Sequence, residues 1–375
     1  MAGGIKKIVV EQGAERFPST GAILLSVGDV PVSRARGQMQ DMVQGTNTDM
    51  GKDTLHLLSY AGEFLKPCPG TRNYICCGYL ILNVGTNCPL DCSYCILQAY
   101  FNLPNLRVHV NLEQEIDRVF EAIDREPEKI FRVGTGEFTD SLALDPVTGW
   151  SGIIVERLSM RKNTVLELKT KTANTRALLE STCRDRIIVS WSLNSPFICA
   201  TEEHGAAALK KRLEAARECR AAGFTLGFHF DPMIPHRDWK DGYRRTVDLL
   251  DRYIEPGGII WISMGSFRFM PALKPIIRRR HRDTCVLDGE FIKGLDGKMR
   301  YFKPIRIELY SFLRELLSQW HPDLGLYLCM ESHEVWLESM RWSPETTEGL
   351  CGYLDQRVRK AQRQQRGCAG ILISV

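Results

Sequence analysis

The chain has 375 residues, of which 44% are hydrophobic and 25% charged, and its formal net charge is +4. This composition is ordinary for a globular protein, and so small a net charge does not by itself indicate a nucleic-acid partner. No apolar stretch is long enough to predict a membrane-spanning helix, and the first residues lack the apolar core of a secretory signal peptide. We therefore expect a cytoplasmic protein with no membrane partner.

Strand-like and helix-like segments alternate from about residue 79 onward, whereas residues 1–75 show no such rhythm. Six short apolar segments are predicted to be strands: 79–84, 130–133, 164–169, 186–193, 224–230 and 258–264. Apolar residues at helical spacing predict helices between them, at 113–125, 150–160, 209–222 and 239–253. After the sixth strand the sequence predicts a basic run (274–282), a hairpin (286–302), a helix (307–320) and one more strand (325–330).

This order of elements predicts an α/β fold. Strands that alternate with helices form a parallel sheet with right-handed crossovers. Six such units fit a partial open (β/α)6 barrel better than a closed barrel of eight, and in such a barrel the functional residues lie at the carboxyl ends of the strands. We expect an N-terminal layer (1–75), the partial barrel (76–268) and a C-terminal extension with the basic segment, hairpin and helix (269–375).

The chain contains 13 cysteines, an odd number that excludes complete internal pairing. In a cytoplasmic protein such thiols indicate metal binding, catalysis or simple burial rather than disulfides. Cys68, Cys76 and Cys77 match no recognisable site, since adjacent cysteines are poor co-ligands. The scattered cysteines are predicted to be buried, inert thiols: Cys183, Cys199, Cys219, Cys285, Cys329, Cys351 and Cys368.

One group of cysteines is spaced tightly enough to form a site. Cys88, Cys92 and Cys95 form a Cys-x3-Cys-x2-Cys motif directly after the first predicted strand. Three thiolates on one loop can bind three corners of a 4Fe–4S cluster and leave the fourth iron open. The alternatives are three unrelated thiols or a structural zinc site, which normally takes four protein ligands; no second cysteine pair follows at suitable spacing.

At this motif the chain resembles the radical S-adenosylmethionine (SAM) superfamily and, within it, the spore photoproduct lyase family. The closer resemblance reaches from the cysteine loop to about residue 320. It rests on the order and spacing of several short segments: 170–171, 192–194, 212–216, 222–234 and 239–243. The resemblance implies an enzyme whose cluster, reduced by a flavodoxin or ferredoxin, cleaves SAM to a 5′-deoxyadenosyl radical.

The resemblance also implies residues that hold SAM. Tyr94 would pack near the adenine, while Lys171 and Ser192 would contact the charged groups of the methionine end. Gly136 and Glu137, with Thr139 in the same segment, resemble the element that binds the SAM amino group. Glycine lets the backbone approach the ligand closely.

Two positions depart from the lyase pattern. Glu137 stands where the family has the cysteine that returns a hydrogen atom to the product radical, and Ile96 stands where it has the tyrosine that relays the radical. We therefore expect SAM cleavage but not photoproduct repair itself. No catalytic residue is assigned; Tyr94, Tyr100 and Cys199 remain alternatives for the lost hydrogen donor.

The basic run and hairpin of the C-terminal extension predict contacts with a nucleic-acid substrate. Cations bind phosphates, and aromatic side chains can hold a base out of its stack. The residues predicted for this contact are Arg279, Arg280, Lys298, Arg300 and Tyr301. Two alternatives stay open, namely radical modification of a peptide, protein or small metabolite, and a non-catalytic iron–sulfur protein for electron transfer or sensing. The second basic run, 357–366, is predicted to be a solvated face or a frayed tail.

Polar residues also follow the fifth predicted strand. His229, Asp231 and His236 are candidates for substrate or SAM contacts. The intervening prolines disrupt regular ligand spacing, so a second metal is not expected here.

Overall fold

The structure is a computed structural model that describes residues 4–35, 51–71 and 73–371, with side chains described as far as residue 363. Cys368 and the end of the second basic run lie outside the described side chains. The strands in chain order are β1 (Lys7–Glu11), β2 (Val32–Ala35), β3 (Thr54–Leu58), β4 (Leu65–Pro67), β5 (Leu80–Leu82), β6 (Gly85–Thr86), β7 (Asp91–Cys92), β8 (Leu106–His109), β9 (Phe131–Gly134), β10 (Thr164–Thr170), β11 (Ile187–Ser192), β12 (Glu203–His204), β13 (Thr225–Met233), β14 (Ile259–Ser266), β15 (Arg268–Phe269), β16 (Phe291–Lys293), β17 (Met299–Tyr301) and β18 (Leu326–Leu328).

The helices carry the amphipathic segments that the sequence predicts. In chain order they are α1 (Pro18–Val27), α2 (Leu97–Tyr100), α3 (Leu112–Asp124), α4 (Asp145–Thr148), α5 (Trp150–Ser159), α6 (Arg176–Glu180), α7 (Pro196–Thr201), α8 (Leu209–Ala221), α9 (Trp239–Tyr253), α10 (Leu273–Arg280), α11 (Lys303–Trp320), α12 (His333–Met340) and α13 (Thr347–Ile371). Within the described residues, no helix is both long and apolar enough to span a membrane.

The main sheet has eight strands in the order β18-β14-β13-β11-β10-β9-β5-β4. All six predicted strands are present, and from β5 to β18 each neighbouring pair is parallel, whereas β4 is antiparallel to β5. The order follows the chain because each crossover adds the next strand at the same edge. The predicted partial open barrel is thus confirmed, with β18 as one further parallel strand.

A second sheet covers one side of the barrel, with strand order β2-β1-β3-β8-β6. Its first three strands come from the N-terminal layer, and the other two come from beyond residue 75. The boundary at residue 75 stays a prediction, since one sheet draws strands from both sides of it.

The open barrel is closed by main chain at one point. Ile75 lies in the segment between β4 and β5, and Glu331 lies shortly after β18, the strand at the opposite edge of the sheet. These two residues form an antiparallel bridge in which the Ile75 amide donates to the Glu331 carbonyl at 2.9 Å. We call residues 68–71, 73–78 and 326–331, together with Cys351 on α13, the seam.

Candidate functional site

The loop with the three predicted cluster cysteines is held in place by hydrogen bonds. Its strand β7 pairs with β12, so that Cys92 lies opposite Glu203. Asn87, at a left-handed φ of 66°, enters the loop, and its amide donates to the carbonyls of Leu103 and Asn105 at 2.7 and 2.8 Å. The loop therefore has one fixed conformation before any ligand is considered.

The three thiols of this loop are sheltered. Cys88 and Cys92 are buried and Cys95 is half-buried, and all twelve cysteines with described side chains are free thiols. Burial raises the pKa of Cys92 to about 12, an effect that the nearby cations Lys171 and Arg212 oppose. A thiol in this setting ionises when it binds iron rather than as a free group.

A 4Fe–4S cluster fits this donor set. Three thiols lie on one loop, and within the described residues no three His, Cys, Asp or Glu side chains are arranged around a single ion. A structural zinc ion normally takes four protein ligands, whereas a cubane cluster with one open iron takes three thiolates, so this donor set suits the cluster better than zinc.

A buried ion pair lies next to the cysteine loop. The Arg212 guanidinium binds the Glu203 carboxylate, and the two side chains are 0% and 1% exposed. The Tyr94 hydroxyl also donates to Glu203. The Lys171 ammonium lies 5.6 Å from the centroid of the Tyr94 ring. Tyr94 and Lys171, both predicted to contact SAM, are thus neighbours beside Cys92.

Asp140 joins the carboxyl ends of two strands. Its carboxylate accepts from the Thr170 hydroxyl at 2.6 Å and from the Lys171 amide at 2.7 Å, and it also caps the turn through Leu142 and Ala143. The buried Thr139 precedes it. Asp140 therefore fixes the position of Lys171 relative to the segment 134–140.

The predicted glycine element also lies at these strand ends. A Cβ atom on Gly136 would lie 3.0 Å from the Lys169 Cβ and 3.2 Å from the Lys169 carbonyl oxygen, so the backbone there passes close to β10. Burial lowers the pKa of Lys169, but the Glu137 and Asp231 carboxylates outweigh it and raise the pKa overall. The two strand ends thus present an acid and a half-buried cation together.

The barrel interior below this level contains a hydrogen-bonded polar group around Glu167. Glu167 accepts from His229 at 2.8 Å, from Ser190 at 2.5 Å and from Trp261 at 2.9 Å. Burial raises the pKa of Glu167, but these donors outweigh burial and hold it at about 2. Ser192, the predicted SAM contact, is buried at the end of β11, and its carbonyl accepts from Arg212 at 2.9 Å.

The structure separates the three polar residues that follow the fifth predicted strand. His229 binds Glu167, Asp231 forms a bidentate pair with Arg268 at 3.1 and 3.2 Å, and His236 contacts Ser195 at 2.8 Å. Their partners lie on different elements, and no metal site is formed by the described part of these segments.

The residues predicted to contact substrate fall into two groups. Arg300 and Tyr301 are 1% exposed; Arg300 pairs with Asp296 at 2.7 Å, and Tyr301 stacks on Phe291 at 4.6 Å between ring centroids. Arg279, Arg280 and Lys298 lie nearer the surface. The hairpin therefore has a buried aromatic and ionic interior.

Arg280 contacts the cysteine loop itself. Its guanidinium pairs with Asp91 at 2.8 Å and also binds Gln98, while Lys52 pairs with the same Asp91 carboxylate at 2.8 Å. Cys88 and Cys95, together with Arg280 and Lys52, border a depression with about 480 Å³ of empty space on this side of the loop. The basic helix α10 thus packs against the predicted cluster site.

Sequence reasoning missed two residues that organise the site. Asp140 and Glu203 are ordinary acids in the sequence, and only their partners on other strands give them a role. The available signal was their position just after predicted strands or helices, which many solvent-exposed acids share.

Comparisons with known proteins show which family the chain resembles. The family model described as spore photoproduct lyase matches residues 76–305. The spore photoproduct lyase of Bacillus subtilis (strain 168) is 27% identical over 210 residues, which make up 55% of this chain and 61% of that protein. The spore photoproduct lyase of Geobacillus sp. (strain Y412MC61) is 27% identical over 250 residues, 64% of this chain and 73% of the relative. The match to the first relative thus spans less than two thirds of its length.

Solved structures of spore photoproduct lyase have the same fold. A variant of that enzyme with bound AdoMet and dinucleoside spore photoproduct has a TM-score of 0.76 at 22% identity, over 88% of this chain and 99% of that chain. The enzyme complexed with dinucleoside spore photoproduct has a TM-score of 0.75 at 23% identity, over 86% and 98%. These TM-scores support the shared half-barrel fold.

Proposed function

The chain belongs to the spore photoproduct lyase family of radical SAM enzymes, and from that premise we propose that Cys88, Cys92 and Cys95 hold its 4Fe–4S cluster. When bound and reduced, the cluster supplies the electron that cleaves SAM into methionine and a 5′-deoxyadenosyl radical. The observation that carries the proposal is the rigid loop of three sheltered thiols with Tyr94 and Lys171 beside it.

The chain's own residues would bind and orient SAM. Asp140 holds the backbone of Lys171, whose ammonium suits the SAM carboxylate, while Glu137 and the backbone at Gly136 suit the SAM ammonium group. Ser192 and Thr139 would line the same side of the SAM site, and Tyr94 would offer an aromatic face to adenine. The Glu203–Arg212 pair keeps Tyr94 in place and excludes water from the inner side of the loop.

We further propose a nucleic-acid substrate, approached from the basic side of the C-terminal extension. Arg279 and Lys298 would contact phosphates, and Arg300 and Tyr301 would stabilise the hairpin that carries them. Glu137 and Ile96 replace the cysteine and tyrosine of the hydrogen-return route, so the proposed reaction on that substrate differs from photoproduct repair. The proposed setting is the cytoplasm, with a flavodoxin or ferredoxin as reductant.

The test of SAM cleavage compares wild type with Cys92→Ala. Both proteins are reconstituted anaerobically with iron and sulfide and given dithionite and SAM, and 5′-deoxyadenosine is measured by mass spectrometry. We expect product from wild type and from the control Cys183→Ala, a half-buried thiol far along the chain, and a loss of at least about 100-fold in Cys92→Ala. Equal product from wild type and Cys92→Ala would contradict the assignment.

The substrate proposal is tested by binding to single- and double-stranded DNA across a range of salt concentrations. We expect affinity that falls steeply with salt, because phosphate contacts release counterions, and a shallower slope in Arg279→Gln. No measurable binding at low salt, in a protein that still cleaves SAM, would favour a peptide or metabolite substrate instead.

A further inference from the structure

Five cysteines meet at the seam, although the sequence scatters them over three distant segments. Cys68, Cys76 and Cys77 come from the segment between β4 and β5, Cys329 directly follows β18, and Cys351 comes from α13. All five are free thiols. This group is separate from the loop 88–95 in the chain and is made entirely by the closure of the barrel.

The five thiols are close to one another. The bridge between Ile75 and Glu331 brings Cys76 and Cys77 near Cys329. The Cys76 thiol also interacts electrostatically with all four of the other thiols. Cys77 in turn interacts with Cys329, and the Cys351 thiol lies 3.5 Å from the Cys77 carbonyl oxygen. Cys76 is therefore the centre of the group.

Two glycines let the backbone approach these sulfur atoms. Gly78 has a φ of +63°, and a Cβ atom there would lie 2.5 Å from the Cys351 sulfur. Gly70 has a φ of +55°, and its Cβ would lie 3.8 Å from the Cys76 sulfur. A side chain at Gly78 would displace the Cys351 thiol, so the bare backbone there keeps the space around the sulfurs open.

Cationic side chains surround the group. The Arg268 guanidinium lies 3.6 Å from the Cys329 sulfur, and it is itself fixed by Asp231 at 3.1 Å. Arg132 interacts with both Cys77 and Cys351 and pairs with Asp355 at 3.1 Å. Cations of this kind stabilise thiolate ligands and the negative charge of a thiolate-bound metal centre.

We propose that the seam holds a second iron–sulfur cluster, bound by Cys68, Cys329, Cys351 and one member of the adjacent pair Cys76 and Cys77. Four thiolates are the usual ligand set of such clusters. One member of the pair suffices, because adjacent cysteines rarely bind the same cluster with both side chains. The remaining thiol stays a neighbour that donates a hydrogen bond.

The arrangement favours a cluster over a single zinc ion or a disulfide. Within the described residues, no three of these thiols form a group that could hold a single metal ion. Five thiols in one group also cannot all be paired as disulfides. The site would link the two ends of the sheet near the barrel interior, since Cys68 interacts electrostatically with Glu137, and Cys329 with Asp231 and Lys169.

The experiment removes the first cluster and asks whether iron remains. Cys88, Cys92 and Cys95 are all changed to alanine, and the full-length protein is reconstituted anaerobically with iron and sulfide. We expect about four irons to be retained per chain, against about eight in wild type, if both clusters are cubanes. Adding Cys329→Ala and Cys351→Ala should remove the remaining iron and sulfide, whereas adding Cys183→Ala and Cys219→Ala should not.

Circular dichroism of each variant separates loss of a ligand from loss of the fold. If the seam variant does not fold, the iron and sulfide content and electron paramagnetic resonance of the folded three-alanine variant decide the question alone. A cluster signal there supports the proposal whether it is of the 2Fe–2S or 4Fe–4S type. A folded three-alanine variant without iron, with zinc and no sulfide, or with seam disulfides would overturn it.

Discussion

The cysteine loop and the seam are built in opposite ways. In the loop, three thiols lie within eight residues of sequence, and hydrogen bonds from the surroundings hold a local conformation. In the seam, Cys68, Cys76 and Cys77 lie within ten residues of sequence, and Cys329 and Cys351 come near them because the sheet curls until its ends touch. A proposed site of the first kind can be recognised from the spacing of cysteines in the sequence. One of the second kind can be recognised only once the fold is known.

The largest effect on stability is expected from the buried Glu203–Arg212 ion pair next to the cysteine loop. Arg212→Met would leave the Glu203 carboxylate buried without its cation, which costs about 3–5 kcal/mol of unfolding free energy. Urea denaturation of wild type and variant measures this loss. The control is Arg217→Met on the same helix, where an exposed side chain should change stability by less than about 0.5 kcal/mol. Equal effects of the two substitutions would show that the loop does not depend on the buried pair.

A slightly smaller effect is expected at the seam. Glu331 accepts from Arg306 and from the Tyr310 hydroxyl, the latter at 2.8 Å, besides providing the main-chain bridge to Ile75. Glu331→Ala should cost about 3 kcal/mol, because a largely buried guanidinium loses its partner. Glu334→Ala, three residues away and exposed, should leave the urea midpoint unchanged. An unchanged urea midpoint in Glu331→Ala would mean that the side-chain bonds to Arg306 and Tyr310 do not stabilise the seam.

The buried Glu167 in the barrel interior offers a test of stability against pH. The pKa of Glu167 is lowered from 4.5 to about 2, so its stabilising contribution is present above pH 4.5 and is lost as the pH falls towards 2. Glu167→Gln should lower the unfolding free energy by about 2–3 kcal/mol at neutral pH. The difference from wild type should be constant from pH 7 to 5 and narrow below 4.5. A difference that grows with acidity would contradict the assigned charge state.

The smallest effect on stability is expected from Arg280, which contacts the cysteine loop through Asp91. Arg280→Ala removes one of two cations from the partly exposed Asp91, so stability should fall by at most about 1 kcal/mol. Faster amide hydrogen exchange should follow in residues 90–95 and not at the seam. Arg244→Ala, which removes an exposed pair with Asp241, is the control. Faster exchange at both places would show that the two sites are mechanically coupled.

The sequence allows the barrel to be predicted almost strand by strand. The predicted strand 164–169 is observed as Thr164–Thr170, and 258–264 as Ile259–Ser266, because alternating β and α segments leave few possible topologies. The partners at the two ends of the sheet were not predictable. They depend on how far the sheet curls, which is a sum over all its strand twists rather than a property of any segment.

The residues of the candidate site also include some that the sequence identifies and some whose partners it does not reveal. The three loop cysteines stand out in the sequence, because a cluster requires their spacing whatever the fold, and the structure places them on one sheltered loop. Arg280 was predicted to contact substrate, yet it lies against Asp91, since a basic run does not reveal which of its side chains meet a carboxylate. Cys329 and Cys351 were predicted to be inert, because in the sequence each is alone.

The bridge between Ile75 and Glu331 also sets an order of events during protein synthesis. A ribosome releases the loop cysteines and most of the parallel strands long before residue 331 emerges, so the half-barrel can begin to fold while the bridge is still impossible. The contacts between residues 68–78 and 326–331 are among those of greatest sequence separation in the described chain and should form late. Truncated nascent chains that end before residue 326 would therefore carry a half-barrel whose ends remain unjoined.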